Sequence, residues 1–197
     1  MSTTATRDAL LGATRAAINE GGLESVTARE VAGRAQANLA SIGYHFGSKD
    51  ALVAEALVAE VTDLVAPVLE LLDGADDAVG RAASAVTVLG DLFETSITRI
   101  PAYLAALSHA PHDGEVRRRL AGLFEQVRER LAQNIEGQLE AGDLPGWVDP
   151  SAMAALIVAV VQGVVVAAAV EPDRAEADAR ALAGQLVGLL LAVRTNQ

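Results

Sequence analysis

Apolar residues recur along this chain at spacings of three and four, with almost none of the alternation that marks a strand, so the pattern reads as helix nearly throughout. A first segment from about Arg7 to Asn19 places Leu10, Leu11, Thr14, Ala17 and Ile18 on one side and stops at Gly21-Gly22. The next start carries every signal at once: Thr27 as N-cap, Glu30 as its capping-box partner, and Val26 and Val31 as the flanking hydrophobic staple. That helix lasts to Arg34. Ala35-Gln36-Ala37 leaves room only for a tight turn before Asn38, an N-cap with Ala37 and Ile42 in staple positions, opens a third helix over about Leu39 to Phe46. Gly47-Ser48 ends it and caps a fourth, which runs from Lys49 through Leu57 and Val61 toward Pro67.

Beyond that point the helices lengthen. Asp73 to Asp77 reads as a loop, and Val79 to Ile100 shows Val86, Leu89, Phe93 and Ile97 at helical spacing. Pro101 to Ala110 is a short helix, and Glu115 to Leu139 carries the stripe Leu120, Phe124, Val127, Leu131, Ile135 and Leu139. Ala141 to Pro150, with two glycines, two prolines and the only tryptophan, Trp147, is a turn. Ser151 to Val170 is almost wholly apolar, broken by Gln162, and a last helix spans about Arg174 to Val193. The expected fold is all-α, about nine helices, with a three-helix head over residues 1–47 and a larger helical-bundle body over 48–197.

Charge sharpens this division. The net charge of −11 looks unsuited to a polyanionic partner until it is split by region. Residues 1–50 carry five basic side chains (Arg7, Arg15, Arg29, Arg34 and Lys49) and five acidic ones, so the whole excess belongs to the body. A neutral head and an acidic body orient the chain on a polyanion without pulling it there strongly. The absence of cysteine rules out disulfides and thiolate metal sites, and Met1 to Leu10 lacks the layout of a signal peptide, so the expected compartment is the cytoplasm.

Two short helices separated by three residues have the layout of a helix-turn-helix, whose second helix enters a major groove. Residues 26–52, VTAREVAGRAQANLASIGYHFGSKDAL, resemble the signature of the TetR family of transcriptional regulators, most distinctively in Tyr44-His45-Phe46-Gly47-Ser48-Lys49. In that string Phe46 is expected to anchor the third helix in the core of the head, while Ser48 and Lys49 open a helix whose free N–H groups and ammonium converge on one anion. The resemblance implies phosphate contacts from Thr27, Tyr44, His45 and Lys49, and base contacts from Arg29, Asn38, Leu39, Ala40 and Ser41. The chain departs from the common pattern at Gly43, where a tyrosine often sits, and at Ala40, where glycine is frequent.

Other signals have plainer readings. Met153 to Val170 is at the lower limit for a membrane span, but Ala152, Ala155, Ala159, Gly163 and Ala167 form one small-residue stripe and Ala177, Ala181, Gly184 and Gly188 a second. Such stripes let helices approach closely, and the resemblance implies that the last two helices pair with their mates in a homodimer, with no membrane contact. His109-Ala-Pro-His112-Asp113 contains metal-ligand residue types, but Pro111 interrupts it and no distant ligand completes it. Arg117-Arg118-Arg119 neighbours Glu115, Glu125 and Glu129 and reads as a solvated helix face. No phosphate loop and no nucleophile elbow occurs, so neither an enzyme nor a cofactor is expected.

The resemblance also implies a small-molecule cavity in the body. Its expected lining is Val86, Phe93, Phe124, Val127 and Leu131, with Thr87, Glu94, Tyr103, Asn134 or Gln162 as orienting groups. The expected function is that of a homodimeric repressor on palindromic operator DNA, released by its ligand. The alternative is a helical-bundle small-molecule binding protein without specific DNA binding.

Overall fold

On the first helix Leu10, Ala17 and Ile18 are sealed from solvent, and buried Thr14 joins that face because its hydroxyl donates back to the carbonyl of Leu10 (2.8 Å). The same rule, apolar residues inward at helical spacing, builds the rest of the chain. The structure is a computed structural model that describes residues 3–74, 99–171 and eight positions between 173 and 185. Its elements are α1 (Thr3–Gly21), a 3-10 turn (Leu23–Ser25), α2 (Ala28–Arg34), α3 (Ala40–Phe46), α4 (Lys49–Gly74), α5 (Ile100–His109), α6 (Gly114–Glu140) and α7 (Pro150–Val170). The described positions from Asp173 to Gln185 are helical too. The all-α expectation holds, with seven α-helices bounded among the described residues where about nine were expected for the chain. The helix expected over 79–100 lies almost wholly outside those residues.

The chain forms two compact units, one of residues Met1–Asp63 and Thr98–Ala121, the other of Leu64–Ile97 and Gly122–Gln197. In the first, α1 packs against α2, α3 and α5. Leu10, Ile18, Val31, Leu52, Leu57, Val61 and Val116 are its fully buried large side chains.

Into this core the chain inserts a carboxylate. Glu60 on α4 is only 4% exposed, and its two oxygens are taken by different arginines: Arg15 of α1 on one, Arg99 at the start of α5 on the other (Nε, 2.9 Å). The same arginines turn their outer nitrogens to Asp63, Arg15 on Oδ2 and Arg99 at 3.5 Å. Burial works against the Arg15 charge, but the hydrogen bonds it donates to Glu60 and Asp63 outweigh that and hold the guanidinium pKa above its ordinary value. Three separate stretches of chain are thereby held at one point.

α4 does not stop near Pro67 but continues through it to Gly74. A proline lacks the N–H that would bond the carbonyl four residues back, so that rung of the ladder, to Asp63, is missing. Of the expected loop at Asp73 to Asp77, Asp73 and Gly74 are helical instead, and 75–77 lie outside the described residues.

In the second unit Ile135 of α6, Leu144 and Val148 of the following turn and Ala154 of α7 form a buried cluster, flanked by Leu131, Leu139, Met153 and Ile157. Gly142, at φ 75°, makes the turn: the Asp143 N–H reaches the Gln138 carbonyl (2.8 Å) in the left-handed helix ending that glycine accepts most readily. Asp149 then caps α7 by accepting the Ala152 N–H (2.7 Å), and Pro150 takes the first helical position. Asn134 Nδ2 donates to the Leu72 carbonyl (3.1 Å) and Arg130 pairs with Asp73, which fixes α6 to the end of α4.

Two stability effects follow. Glu60→Ala leaves two arginines with only the more exposed Asp63 as their shared counter-charge and is expected to cost on the order of 3 kcal/mol in urea unfolding, with Glu60→Gln costing less. Gly43→Ala is expected to raise stability by up to about 1 kcal/mol in the same experiment, because an added Cβ meets nothing within 4 Å.

Candidate functional site

The α2-turn-α3 unit is built from caps. Thr27 Oγ1 accepts the Glu30 N–H (3.1 Å), as expected, and Val26 and Val31 of the staple are both buried. The reciprocal half of the capping box does not form. The Thr27 N–H goes to the Ser25 carbonyl (3.1 Å), and the Glu30 carboxylate accepts from Arg34 Nε one turn on (2.8 Å). A charge-assisted bond to a guanidinium wins over one to a neutral backbone amide.

The turn itself is a Schellman ending. The Gln36 N–H bonds the Gly33 carbonyl (3.1 Å) and the Ala37 N–H bonds the Ala32 carbonyl (2.9 Å), with Gln36 at φ 50°. Nothing in the residue type announces this, because glycine or asparagine usually fills that position. The turn delivers Asn38, whose Oδ1 accepts the Ala40 N–H (2.9 Å) and so caps α3. At the far end Gly47, at φ 79°, closes α3, and Ser48 Oγ accepts the Ala51 N–H (3.0 Å) to open α4.

α3 buries Ile42 and presents Asn38, Leu39, Ala40, Gly43 and Tyr44 outward, with Ser41 half-buried. Leu39 is 53% and Tyr44 78% exposed, unusual for residues of their size. The Tyr44 ring meets His45 edge-on at 4.9 Å, and His45 meets Phe46 at 6.3 Å. Phe46 is half-buried rather than enclosed in the core, with the Arg7 guanidinium stacked 5.0 Å from its ring centroid. Thr27 is exposed, and its capping bond uses an acceptor lone pair, so the hydroxyl proton stays available to a phosphate.

The cations of this region are mostly committed inward. Arg7 pairs with Glu55, Arg15 with Glu60 and Asp63, and Arg34 with Glu20 (2.7 Å) and Glu30. Hydrogen bonds to Glu20 and then Glu30 raise the Arg34 pKa above its ordinary value. Lys49 stands at the α4 N-terminus with Asp50 3.6 Å away, a carboxylate that reduces the ammonium's outward field. Arg29 is exposed and stands apart from every ion pair described in the head.

In the second unit Val127 is buried and Phe124, Leu131, Asn134 and Gln162 are half-buried, while Tyr103 is buried in the first unit. Val86, Thr87, Phe93 and Glu94 lie outside the described residues. Asn134 is engaged with backbone carbonyls, which leaves it poorly placed to orient a ligand. Asp113, 3.9 Å from His109, accepts the Glu115 and Val116 N–H groups at the start of α6, and these bonds pull its carboxyl below its ordinary pKa. Arg118 pairs with Glu115 on the same face, as its solvated reading requires.

α7 is two-sided. Ala154, Val164 and Ala168 face inward, whereas Ala155, Ala159, Gly163 and Ala167 are exposed. Ala181 and Gly184 are exposed as well, and Gly188 lies outside the described residues. The stripe is wider than the small residues alone: Leu156, Val166, Val170 and Leu182 are also exposed. A groove of about 660 Å3 runs along it, lined by Val160, Gly163, Ala167, Ala181 and Leu182 among others. By length and composition α7 could cross a membrane, with 22% of its most apolar window buried.

Comparison with known proteins matches this anatomy in both parts of the chain. Residues 10–56 match the family model of bacterial regulatory proteins of the tetR family, and residues 78–192 match that of the BetI-type transcriptional repressor, C-terminal. No curated protein matches the sequence. Among solved structures, a TetR transcription regulator from Haloarcula marismortui is 20% identical, with 95% of this chain and 99% of that one covered and a TM-score of 0.79. A transcriptional regulator from Rhodococcus sp. Rha1 is 23% identical over 94% and 96% of the two chains, with a TM-score of 0.77. A regulator from Saccharomonospora viridis, solved in complex with choline, is 18% identical over 92% and 94%, with a TM-score of 0.73. With the capped helix-turn-helix matched by one model and more than half of the chain by the other, the chain belongs to the TetR family of transcriptional regulators.

Proposed function

We propose that this regulator is a homodimeric repressor that binds palindromic operator DNA through residues 1–47 and is released by a small molecule held in the body, 48–197. The observation that carries the reading is the doubly capped α2-turn-α3 unit, whose outward face is followed at once by the N-terminus of α4 with Ser48 and Lys49. Backbone N–H groups, the helix dipole and the Lys49 ammonium form an anion seat there, and the Thr27 hydroxyl, Tyr44 and His45 add neutral donors for neighbouring phosphates. Arg29 and the outward residues of α3 reach the base edges.

The exposed apolar face of α7, continued by Ala181, Leu182 and Gly184, supports pairing with the same face of a second copy. Small residues let the helices approach closely, and covering Leu156, Val166 and Val170 removes apolar surface from water. Such a contact explains the apolar run without a membrane, and the reading places the chain in the cytoplasm. Two heads then meet successive major grooves about 34 to 36 Å apart. The choline-bound regulator from Saccharomonospora viridis supports a small molecule as the class of effector. The ligand acts by favouring one arrangement of the body, and it shifts DNA affinity only by its differential affinity for the two states.

Footprinting on the upstream region of the chain's own gene is expected to show saturable protection of a two-fold symmetric site, lost in Lys49→Ala and reduced in Tyr44→Ala. Binding without sequence preference would favour a helical-bundle ligand-binding protein. Because Arg29 and Lys49 are the available cations of the first fifty residues, two copies release few counterions. The slope of log affinity against log salt is expected to be roughly −4 or shallower, and a much steeper slope would refute that count. Gly163→Arg in the α7 face is expected to give a monomer by light scattering and to lose operator binding at the same time.

A further inference from the structure

Base reading by a helix-turn-helix ordinarily rests on hydrogen-bonding side chains of the second helix. The exposed surface of α3 is poor in them. Leu39 (53% exposed), Ala40 and Gly43 form its centre, Leu39 and Gly43 one helical turn apart, and a Cβ at Gly43 would meet nothing within 4 Å. Asn38 has one Oδ1 lone pair committed to the Ala40 N–H, which holds the amide against the start of α3 and restricts its turning to read adenine with oxygen and nitrogen together. Ser41 is half-buried. Two longer donors flank this face: Tyr44, 78% exposed near the end of α3 and read above as a phosphate ligand, and Arg29, exposed on α2, which suits a guanine beside the face.

Two apolar side chains and an empty notch remain to discriminate bases. Of the four base pairs, only those containing thymine carry an apolar group, the C5 methyl, on the major-groove edge. A leucine projecting at the groove floor gains by covering that methyl and gains nothing from a cytosine at the same place, whose amino group it leaves unpaired. Resting on the DNA-binding reading above, we infer that Leu39 and Ala40 are specificity-determining residues that select thymine by its methyl group, with the Gly43 notch leaving room for close approach. Operator choice under α3 is a matter of shape and apolar contact, and any guanine preference belongs to Arg29.

The test uses the full chain and duplexes selected by it from a random library. Each thymine of the recovered half-site is replaced by deoxyuridine, which removes the methyl and nothing else. At one or two central positions affinity is expected to fall roughly fourfold, the worth of one buried methyl-sized group. Leu39→Ala is expected to weaken binding to the thymine duplex and to abolish the thymine-to-deoxyuridine difference; circular dichroism verifies that this exposed substitution leaves the fold intact. A selected site insensitive to deoxyuridine at every position, or a Leu39→Ala penalty equal on both duplexes, overturns the inference while leaving DNA binding in place. Failure to enrich any sequence overturns both.

Discussion

A single carboxylate organises the first unit. Glu60 is nearly inaccessible to water, and a buried charge of that kind persists only where its lone pairs are taken up. Arg15 and Arg99 each take one oxygen, so α1, α4 and the residue that starts α5 must meet at one point for the charge to be tolerated at all. Apolar packing alone is non-directional and fixes the register of these helices less sharply than a contact that demands a set geometry. A fork of two guanidinium groups on one carboxylate is such a contact. The frame that holds the helix-turn-helix is therefore set by geometry-demanding ionic contacts inside an otherwise ordinary aliphatic core.

The same economy of charge shapes the DNA-facing side. Of the five cations in the first fifty residues, Arg7, Arg15 and Arg34 are spent within the fold, against Glu55, Glu60 with Asp63, and Glu20 with Glu30. An acidic body adds repulsion at a distance, screened beyond about a Debye length. A regulator so built gains little from the general attraction between basic proteins and nucleic acid. On the proposed reading, fit supplies the difference: helix N-termini, neutral donors and the apolar face of α3.

Much of this was legible in the sequence because caps and staples are local. Thr27, Asn38, Ser48 and Asp149 each sit where their residue type and the apolar spacing place a helix start. What stayed hidden depends on partners distant in the chain or on competition between near-equal options. Glu60 looks like any charged residue in an apolar helix until Arg15 and Arg99 fold against it. Glu30 fits a capping box and an ion pair equally well by spacing, and only the folded geometry shows Arg34 winning. Gln36 in the left-handed region carries no sequence mark, and Phe46 was read as core because its stacking partner Arg7 lies a whole helix away. The extent of α4 was misread for a simpler reason: proline ends most helices but does not end one whose flanking turns are held by other contacts.

That proline has a mechanical side. Pro67 removes the rung to the carbonyl of Asp63, the residue whose carboxylate also receives Arg15 and Arg99. A long helix resists flexure through its unbroken ladder, and its stiffness drops where one rung is absent. In α4 the compliant point thus falls immediately beyond the ion-paired one. Local flexure of α4 would concentrate within that turn, while the Glu60 clamp keeps α1, α4 and the start of α5 together.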